Sequence, residues 1–293
     1  MAKRIGMIGL GIMGSAMSHN LLAAGVEVVG FDVSPDAMRR FKRDGGTPAR
    51  SAADVLRSVD VALTSLPSAA ALHQVCAEVE GKRSVIAETS TLPIEDKVKA
   101  RNTLAKKGIT LLDCPLSGTG AQARKKDLVV LASGERKGFA RLKPFLPGFS
   151  KSHYYLGEFG NGSKMKFVAN LLVAIHNVAA GEAFALGMKA GLSPKDILEV
   201  ISPGAGSSRM FEVRGPQMVA GKYGDATMKV EVWQKDMKVI GEFAAKLGVA
   251  TPLFSASAPI YNAAMSQGFA KEDTAAVCAV LERMSGVRRK RNG

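Results

Sequence analysis

Six residues, Gly9-Leu10-Gly11-Ile12-Met13-Gly14, lie directly behind the apolar run Ile5, Met7, Ile8 and constrain the fold of this chain more than any other feature. Gly9 suits a tight turn out of a strand, Gly11 lets the backbone approach a pyrophosphate, and Gly14 lets the following helix pack closely on a sheet. Such a loop cradles phosphate at a helix N-terminus. Three glycines at these spacings also occur in ordinary turns, so the context decides. The loop opens an apolar helix over residues 13–24 that Gly25 can terminate, a second strand follows over 26–31, and Asp32 stands at its end. A carboxylate there accepts both ribose hydroxyls of an adenosine and repels a 2′-phosphate. Residues 9–14 and Asp32 are therefore read as a dinucleotide site, with NAD favoured. Arg39 and Arg40 nearby keep NADP open, and Asp32 has a second reading as a turn acid ahead of the helix start Ser34-Pro35-Asp36.

Up to about residue 158, short β-rich apolar runs alternate with helical ones, which argues for a parallel sheet wrapped by helices. Strands are predicted over 4–8, 26–31, 61–66, 85–88, 110–113, 128–132 and 154–156. They read as continuous apolar runs, as strands buried on both faces do. Helix starts are marked by Ser34-Pro35-Asp36 and by Ser51 with Asp54 three residues later. After Gly160 the texture changes. Residues 164–189 form one long helical pattern with apolar side chains at Val168, Leu171, Leu172, Ile175, Val178, Ala179, Ala183 and Leu186, closed by Gly191. Ser193-Pro194 starts another helix, and 237–247, 252–267 and 272–284 are helical as well. The expected fold is an α/β Rossmann domain over 1–160, doubly wound around a mostly parallel sheet. An all-α C-terminal domain over 161–293 follows, beginning with a long interdomain helix.

At 293 residues and 46% hydrophobic content the chain can bury two cores. No apolar run reaches the roughly 18 residues of a membrane span, and no signal-peptide pattern precedes the first strand, so a cytoplasmic protein without a membrane partner is expected. Cys76, Cys114 and Cys278, with His19, His73, His153 and His176, show no metal-ligand spacing, and no metal is expected. The net charge of +14 raises the question of nucleic acid. The basic residues, however, are spread over 97–107, 124–126, 136–143 and the tail without interleaved aromatics. That pattern fits a solvated surface attracting anionic substrate and cofactor rather than a specific nucleic-acid site. The tail Arg288-Arg289-Lys290-Arg291 reads as a frayed end.

Three further segments carry chemistry. Asp113-Cys114-Pro115-Leu116-Ser117-Gly118-Thr119 offers a hydroxyl and backbone N–H groups to an anion at a strand end, with a plain β-turn as its other reading. Gly160-Asn161-Gly162-Ser163-Lys164-Met165-Lys166 leads into Asn170. Lys166 and Asn170 are four apart on a helix and project from one face, where a solvated surface lysine is the alternative. Trp233-Gln234-Lys235-Asp236 holds a charge pair that reads equally well as surface.

With the glycine loop, these segments resemble the β-hydroxyacid dehydrogenase family over nearly the whole chain. That family includes 3-hydroxyisobutyrate dehydrogenase, tartronate semialdehyde reductase and the decarboxylating 6-phosphogluconate dehydrogenases. The resemblance implies a substrate carboxylate held by Ser117, Gly118 and Thr119, a catalytic Lys166 assisted by Asn170, and Lys235 at the nicotinamide end of the cofactor. It also implies cofactor-contacting loops at Leu66-Pro67 and Glu88-Thr89-Ser90-Thr91, with Thr91 facing the nicotinamide. The chain departs from the family pattern at Thr119, usually Gly, at Ala169, usually Asn, and at Lys126-Asp127-Leu128, usually Gly-Thr-Leu.

The implied enzyme transfers a hydride between NAD(P) and a small β-hydroxy acid, 3-hydroxyisobutyrate-like, as a homodimer or homotetramer, with Lys166 as general acid/base. To serve as a base near neutrality, Lys166 needs its ammonium destabilised by roughly 3 to 4 kcal/mol relative to water. Burial beside another cation, Lys164 or Lys235, supplies that. Two other readings stand beside this one: a semialdehyde or glyoxylate reductase of the same family, and a dinucleotide-binding protein without catalysis.

Overall fold

The computed structural model describes residues 3–80 and 83–289. It divides into two compact units, Met1–Lys166 and Phe167–Gly293, with the division inside one long helix. In the first unit, β1 (Arg4–Ile8), β2 (Glu27–Phe31), β3 (Thr47–Pro48), β4 (Val61–Thr64), β5 (Val85–Glu88) and β6 (Thr110–Asp113) form a six-stranded sheet in the order β3-β2-β1-β4-β5-β6. Every neighbouring pair is parallel. The order reverses between β1 and β4, which opens a crevice at the carboxyl ends of the strands.

Helices α1 (Ile12–Ala23), α2 (Pro35–Arg43), α3 (Ala52–Ser58), α4 (Ala69–Glu78) and α5 (Ile94–Ala105) connect these strands. Alternate strand residues serve opposite faces. Ile5, Met7, Val28, Leu63 and Leu112 share one core with Met17 and Leu21 of α1, while Ile8, Val29, Ala62 and Ile86 share another with Val55 of α3, Leu72 of α4 and Leu104 of α5. Both faces are dry, and this is why the sequence shows apolar runs instead of alternation. Ser34 and Ser51 cap α2 and α3 by accepting the N–H groups of Ala37 and Asp54.

The later strands do not extend this sheet. β7 (Leu116–Ser117), β8 (Val129–Ala132) and β9 (Ser152–Tyr155) form a separate three-stranded sheet, with β7 antiparallel to β8 and β9 parallel to it. The cause lies at the end of β6. Asp113 and Ser133 exchange both backbone hydrogen bonds as an antiparallel bridge, and Pro115 has no N–H with which to continue a ladder. Short helices α6 (Gly120–Arg124), α7 (Arg136–Leu142) and α8 (Leu146–Phe149) complete the unit.

Between α6 and β8, Lys126 has φ +60°, a left-handed conformation at the place where the family pattern has glycine. An L side chain there is strained by about 1 kcal/mol. Lys126→Gly is expected to raise the melting temperature correspondingly, and a thermal melt showing no rise would refute the strain.

The long helix, α9 (Asn161–Lys189), begins three residues before the expected start. By length and composition it could cross a membrane. This corrects the expectation that no apolar segment reaches that length; Asn170, His176, Asn177 and Glu182 interrupt the apolar pattern without lowering its mean hydropathy below that of a span. It buries Phe167, Asn170, Ala174, Asn177 and Phe184, as the core helix of a domain does. Then come α10 (Pro194–Ile201), α11 (Arg209–Ala220), α12 (Val230–Lys246), α13 (Pro252–Ser266) and α14 (Val277–Met284).

Two points of the sequence reading are corrected in the second unit. α12 starts at Val230, well before 237, because the N–H groups of Val230 and Glu231 are taken up by the carbonyls of Glu272 and Ala270. The tail is not frayed at Arg289, whose guanidinium donates to the carbonyls of Met218 and Val219 at the end of α11 and pairs with Glu282. Lys290 and Arg291 of that run lie outside the described residues.

All three cysteines are free and buried. Burial pushes the Cys76 thiol up to about 11 and raises Cys114 and Cys278 as well. Among the described residues no cluster of His, Cys, Asp and Glu could hold a metal ion.

Candidate active site

The glycine loop leaves β1 with Gly9 at φ +93°, where a Cβ would also overlap the Ser65 carbonyl oxygen. A Cβ on Gly14 would overlap the Gly9 carbonyl oxygen, so α1 can approach the strand end only with glycine at that position. Gly11 differs. Apart from its chain neighbours, no described residue has an atom within 4 Å of where its Cβ would stand. α1 starts there without a side-chain cap among the described residues. Its first turn, Ile12-Met13-Gly14-Ser15, carries no acid. The first N–H groups of a helix have no intrahelical partner, and its N-terminus favours an anion. Open space over Gly11 and an uncapped helix start fit a dinucleotide's pyrophosphate.

At the end of β2, Asp32 Oδ2 accepts the Leu10 N–H at 2.6 Å and Oδ1 accepts the Ser34 N–H at 2.7 Å. The carboxylate braces the glycine loop and serves as a turn acid at once. Each oxygen keeps acceptor capacity for a ribose hydroxyl. The loops after β4 and β5 are tied to each other: the Leu66 N–H donates to Ser90 Oγ at 2.8 Å, and Thr89 Oγ1 donates to the Thr64 carbonyl at 2.7 Å. Residues 9–14, Asp32, Leu66, Pro67 and Thr91 thus all follow the carboxyl ends of β1, β2, β4 and β5.

Ser117 ends β7 and is half-buried, and Gly118 has φ +133°. Thr119 caps α6 through a capping box: its Oγ1 accepts the Gln122 N–H, and its own N–H donates to Gln122 Oε1 at 2.9 Å. The backbone donor expected at Thr119 is therefore committed to Gln122, while the hydroxyl hydrogen is still able to donate.

The start of α9 is set by glycine. Gly160 has φ +97°, and a Cβ on Gly162 would overlap the Leu131 carbonyl oxygen and lie 2.8 Å from that of Asp113. One turn later Lys166 is buried, 8% exposed, while Lys164 and Met165 before it are exposed. In the second unit, Asn170 is buried and its Nδ2 donates to Asp236 Oδ2 at 2.9 Å. Lys235 on α12 keeps 38% of its side chain exposed, with Nζ 3.7 Å from Asp236 Oδ1.

Sequence reasoning missed two partners here. Asp236, read only as half of a charge pair, is buried and holds Asn170. Lys97, counted among solvated basic residues, is fully buried between Glu88 and Asp113. Burial alone disfavours its ammonium, but the two carboxylates outweigh that and hold its pKa above the usual lysine range.

A parallel sheet in this order with an open glycine-lined helix start at its switch point defines a dinucleotide-binding protein of the Rossmann class. Comparison with known proteins carries this further. Residues 4–157 match the NAD binding domain of 6-phosphogluconate dehydrogenase, and residues 160–281 match the NAD-binding domain of NADP-dependent 3-hydroxyisobutyrate dehydrogenase. An L-threonate dehydrogenase of Cupriavidus necator is 32% identical over 96% of this chain and 97% of its own length. Glyoxylate/succinic semialdehyde reductase 2 of Arabidopsis thaliana is 30% identical over 95% of this chain and 79% of its own length. The crystal structure of a 3-hydroxyisobutyrate dehydrogenase from Salmonella typhimurium superposes with a TM-score of 0.86 at 30% identity, covering 95% of this chain and 99% of that one. The chain belongs to the β-hydroxyacid dehydrogenase family and is an NAD(P)-dependent enzyme acting on a CH–OH group.

Proposed function

We propose that this enzyme oxidises a small β-hydroxy acid, 3-hydroxyisobutyrate-like, with NAD, and that Lys166 is its general base. The carrying observation is the buried lysine one turn after a glycine-docked helix start. Bound NAD supplies the acceptor for the carbinol hydrogen and its electron pair. Lys166 Nζ takes the hydroxyl proton, and Asn170, held by Asp236, orients the substrate oxygen. Ser117, Gly118 and the Thr119 hydroxyl hold the carboxylate. Thr91 and Lys235 are assigned to the nicotinamide end of the cofactor, and Leu66-Pro67 to its cradle, from their register in the family pattern.

Asp32 supports NAD over NADP, since a fixed carboxylate beside the adenosine ribose repels a 2′-phosphate. The name of the Arabidopsis relative favours a second reading, reduction of glyoxylate or a semialdehyde.

The test is a turnover panel run with both cofactors: oxidation of 3-hydroxyisobutyrate, L-threonate and other C3 to C6 hydroxy acids, and reduction of glyoxylate and succinic semialdehyde. NAD-linked oxidation of a hydroxy acid is expected to dominate. Asp32→Ala is expected to weaken NAD by about tenfold or more while changing NADP far less. Faster reduction of the aldehydes with NADPH would overturn the direction, and equal loss of both cofactors would overturn the specificity.

A further inference from the structure

The parallel register of β5 and β6 sets Glu88 beside Asp113, and both carboxylates are fully buried. Like charges at directly paired positions repel, and neither is solvated at that depth. Lys97 from α5 enters between them. Its Nζ lies 2.6 Å from Glu88 Oε2 and 2.8 Å from Asp113 Oδ1, and donates to the Ser90 carbonyl at 2.7 Å. Two of those contacts are hydrogen bonds donated by the ammonium, and the one to Glu88 is an ion pair.

Asp113 in turn grips the start of α9. Oδ1 accepts the Ser163 hydroxyl at 2.7 Å and Oδ2 accepts the Ser163 N–H at 2.7 Å, while Ser133, hydrogen-bonded to the same carboxylate, takes the Gly162 N–H at 2.9 Å. One cation therefore joins the carbonyl just before Thr91 to the carboxylate that holds the helix start just before Lys166. A core built for stability alone would not use charges here, since replacing a buried ion cluster by apolar side chains is often neutral or stabilising.

We propose that Lys97 is a positioning residue: through the Ser90 carbonyl and Asp113 it fixes the loop carrying Thr91 against the first turn of α9, and so aligns Lys166 for proton transfer. The proposal rests on the reading of Lys166 as the base. Lys97 does not touch the reacting atoms. The second buried carboxylate is balanced by the positive end of α9.

The decisive variant is the double substitution Lys97→Met with Glu88→Gln, which removes one charge of each sign and keeps the net buried charge unchanged. It is compared with wild type in kcat for 3-hydroxyisobutyrate or L-threonate, whichever the wild type oxidises faster. NAD binding is followed by isothermal titration, melting by calorimetry, and amide hydrogen exchange of peptides spanning residues 160–166 by mass spectrometry. With melting retained, kcat is expected to fall by about 10²-fold, the scale of a misplaced catalytic group. NAD affinity is expected to stay within about threefold, and amides 160–166 to exchange roughly tenfold faster.

Unchanged kcat, or unchanged exchange at 160–166, in the folded double variant overturns the proposal. If the double variant melts far below wild type, Ser163→Ala decides in its place, because it deletes only the hydroxyl bond to Asp113. A loss of kcat of about tenfold with NAD affinity kept supports the proposal, and an unchanged kcat overturns it. Lys166→Ala is run in parallel. Should that variant keep wild-type kcat, the base reading fails by itself, and the exchange data alone judge the coupling.

Discussion

Lys166→Ala is expected to lower kcat by roughly 10² to 10⁴-fold, the usual size for a positioned acid–base group, with NAD affinity nearly unchanged. The substitution removes the amine proposed to take the hydroxyl proton and leaves the glycine loop, Asp32 and the loops after β4 and β5 as they are. Lys166→Arg sharpens the result. A guanidinium keeps the positive charge but stays protonated at any pH the protein survives. If Lys166 acts as a base, arginine is as inactive as alanine. If it only attracts an anion, arginine retains most of the activity. Steady-state kinetics on the two variants, with NAD binding measured separately, tells these apart, and activity within a few-fold of wild type in Lys166→Ala ends the base assignment.

The second large effect divides two glycines of the same loop. Gly14→Ala drives a Cβ into the Gly9 carbonyl, so α1 must move away from the end of β1. A loss of about 3 kcal/mol or more in stability is expected, the upper range for overpacking, together with loss of NAD binding. Gly11→Ala meets no described atom within 4 Å beyond its own chain neighbours. It is expected to melt at the wild-type temperature and still to lose NAD affinity by about 10²-fold, because the methyl takes up the space into which the pyrophosphate fits. Calorimetry and NAD titration on both variants make the comparison. Equal behaviour of the two in either measurement would mean that Gly11 and Gly14 do not divide ligand approach from helix packing.

The strands of the parallel sheet are legible because each is buried on both faces, so a run such as Val85-Ile86-Ala87 carries its own signal. β3 and β7 are not, since two-residue strands such as Thr47-Pro48 and Leu116-Ser117 have no periodicity to read. α11 is hidden for another reason: Gly215 and Pro216 inside it argue against a helix locally. It persists because Ser208 caps it and Arg214 is buried in an ion pair with Asp273, more than fifty residues on. The start of α12 likewise depends on carbonyls from 270 and 272.

Within the candidate site, the glycines were legible from spacing because backbone conformation and close approach are local demands. Lys97 was not. Its segment, Glu95-Asp96-Lys97-Val98-Lys99, has the composition of a solvated helix face. Its two carboxylate partners become neighbours only when β5 pairs with β6. The commitment of the Thr119 N–H is a different case: Thr119 and Gln122 have capping-box spacing, so that signal is present in the sequence.

All three native thiols sit beneath the surface with their ionisation suppressed, so the chain offers little thiolate to a maleimide or iodoacetamide at neutral pH. A fluorophore attached through one cysteine introduced on an exposed helix face will therefore label a single known position, with no need to strip the native cysteines first.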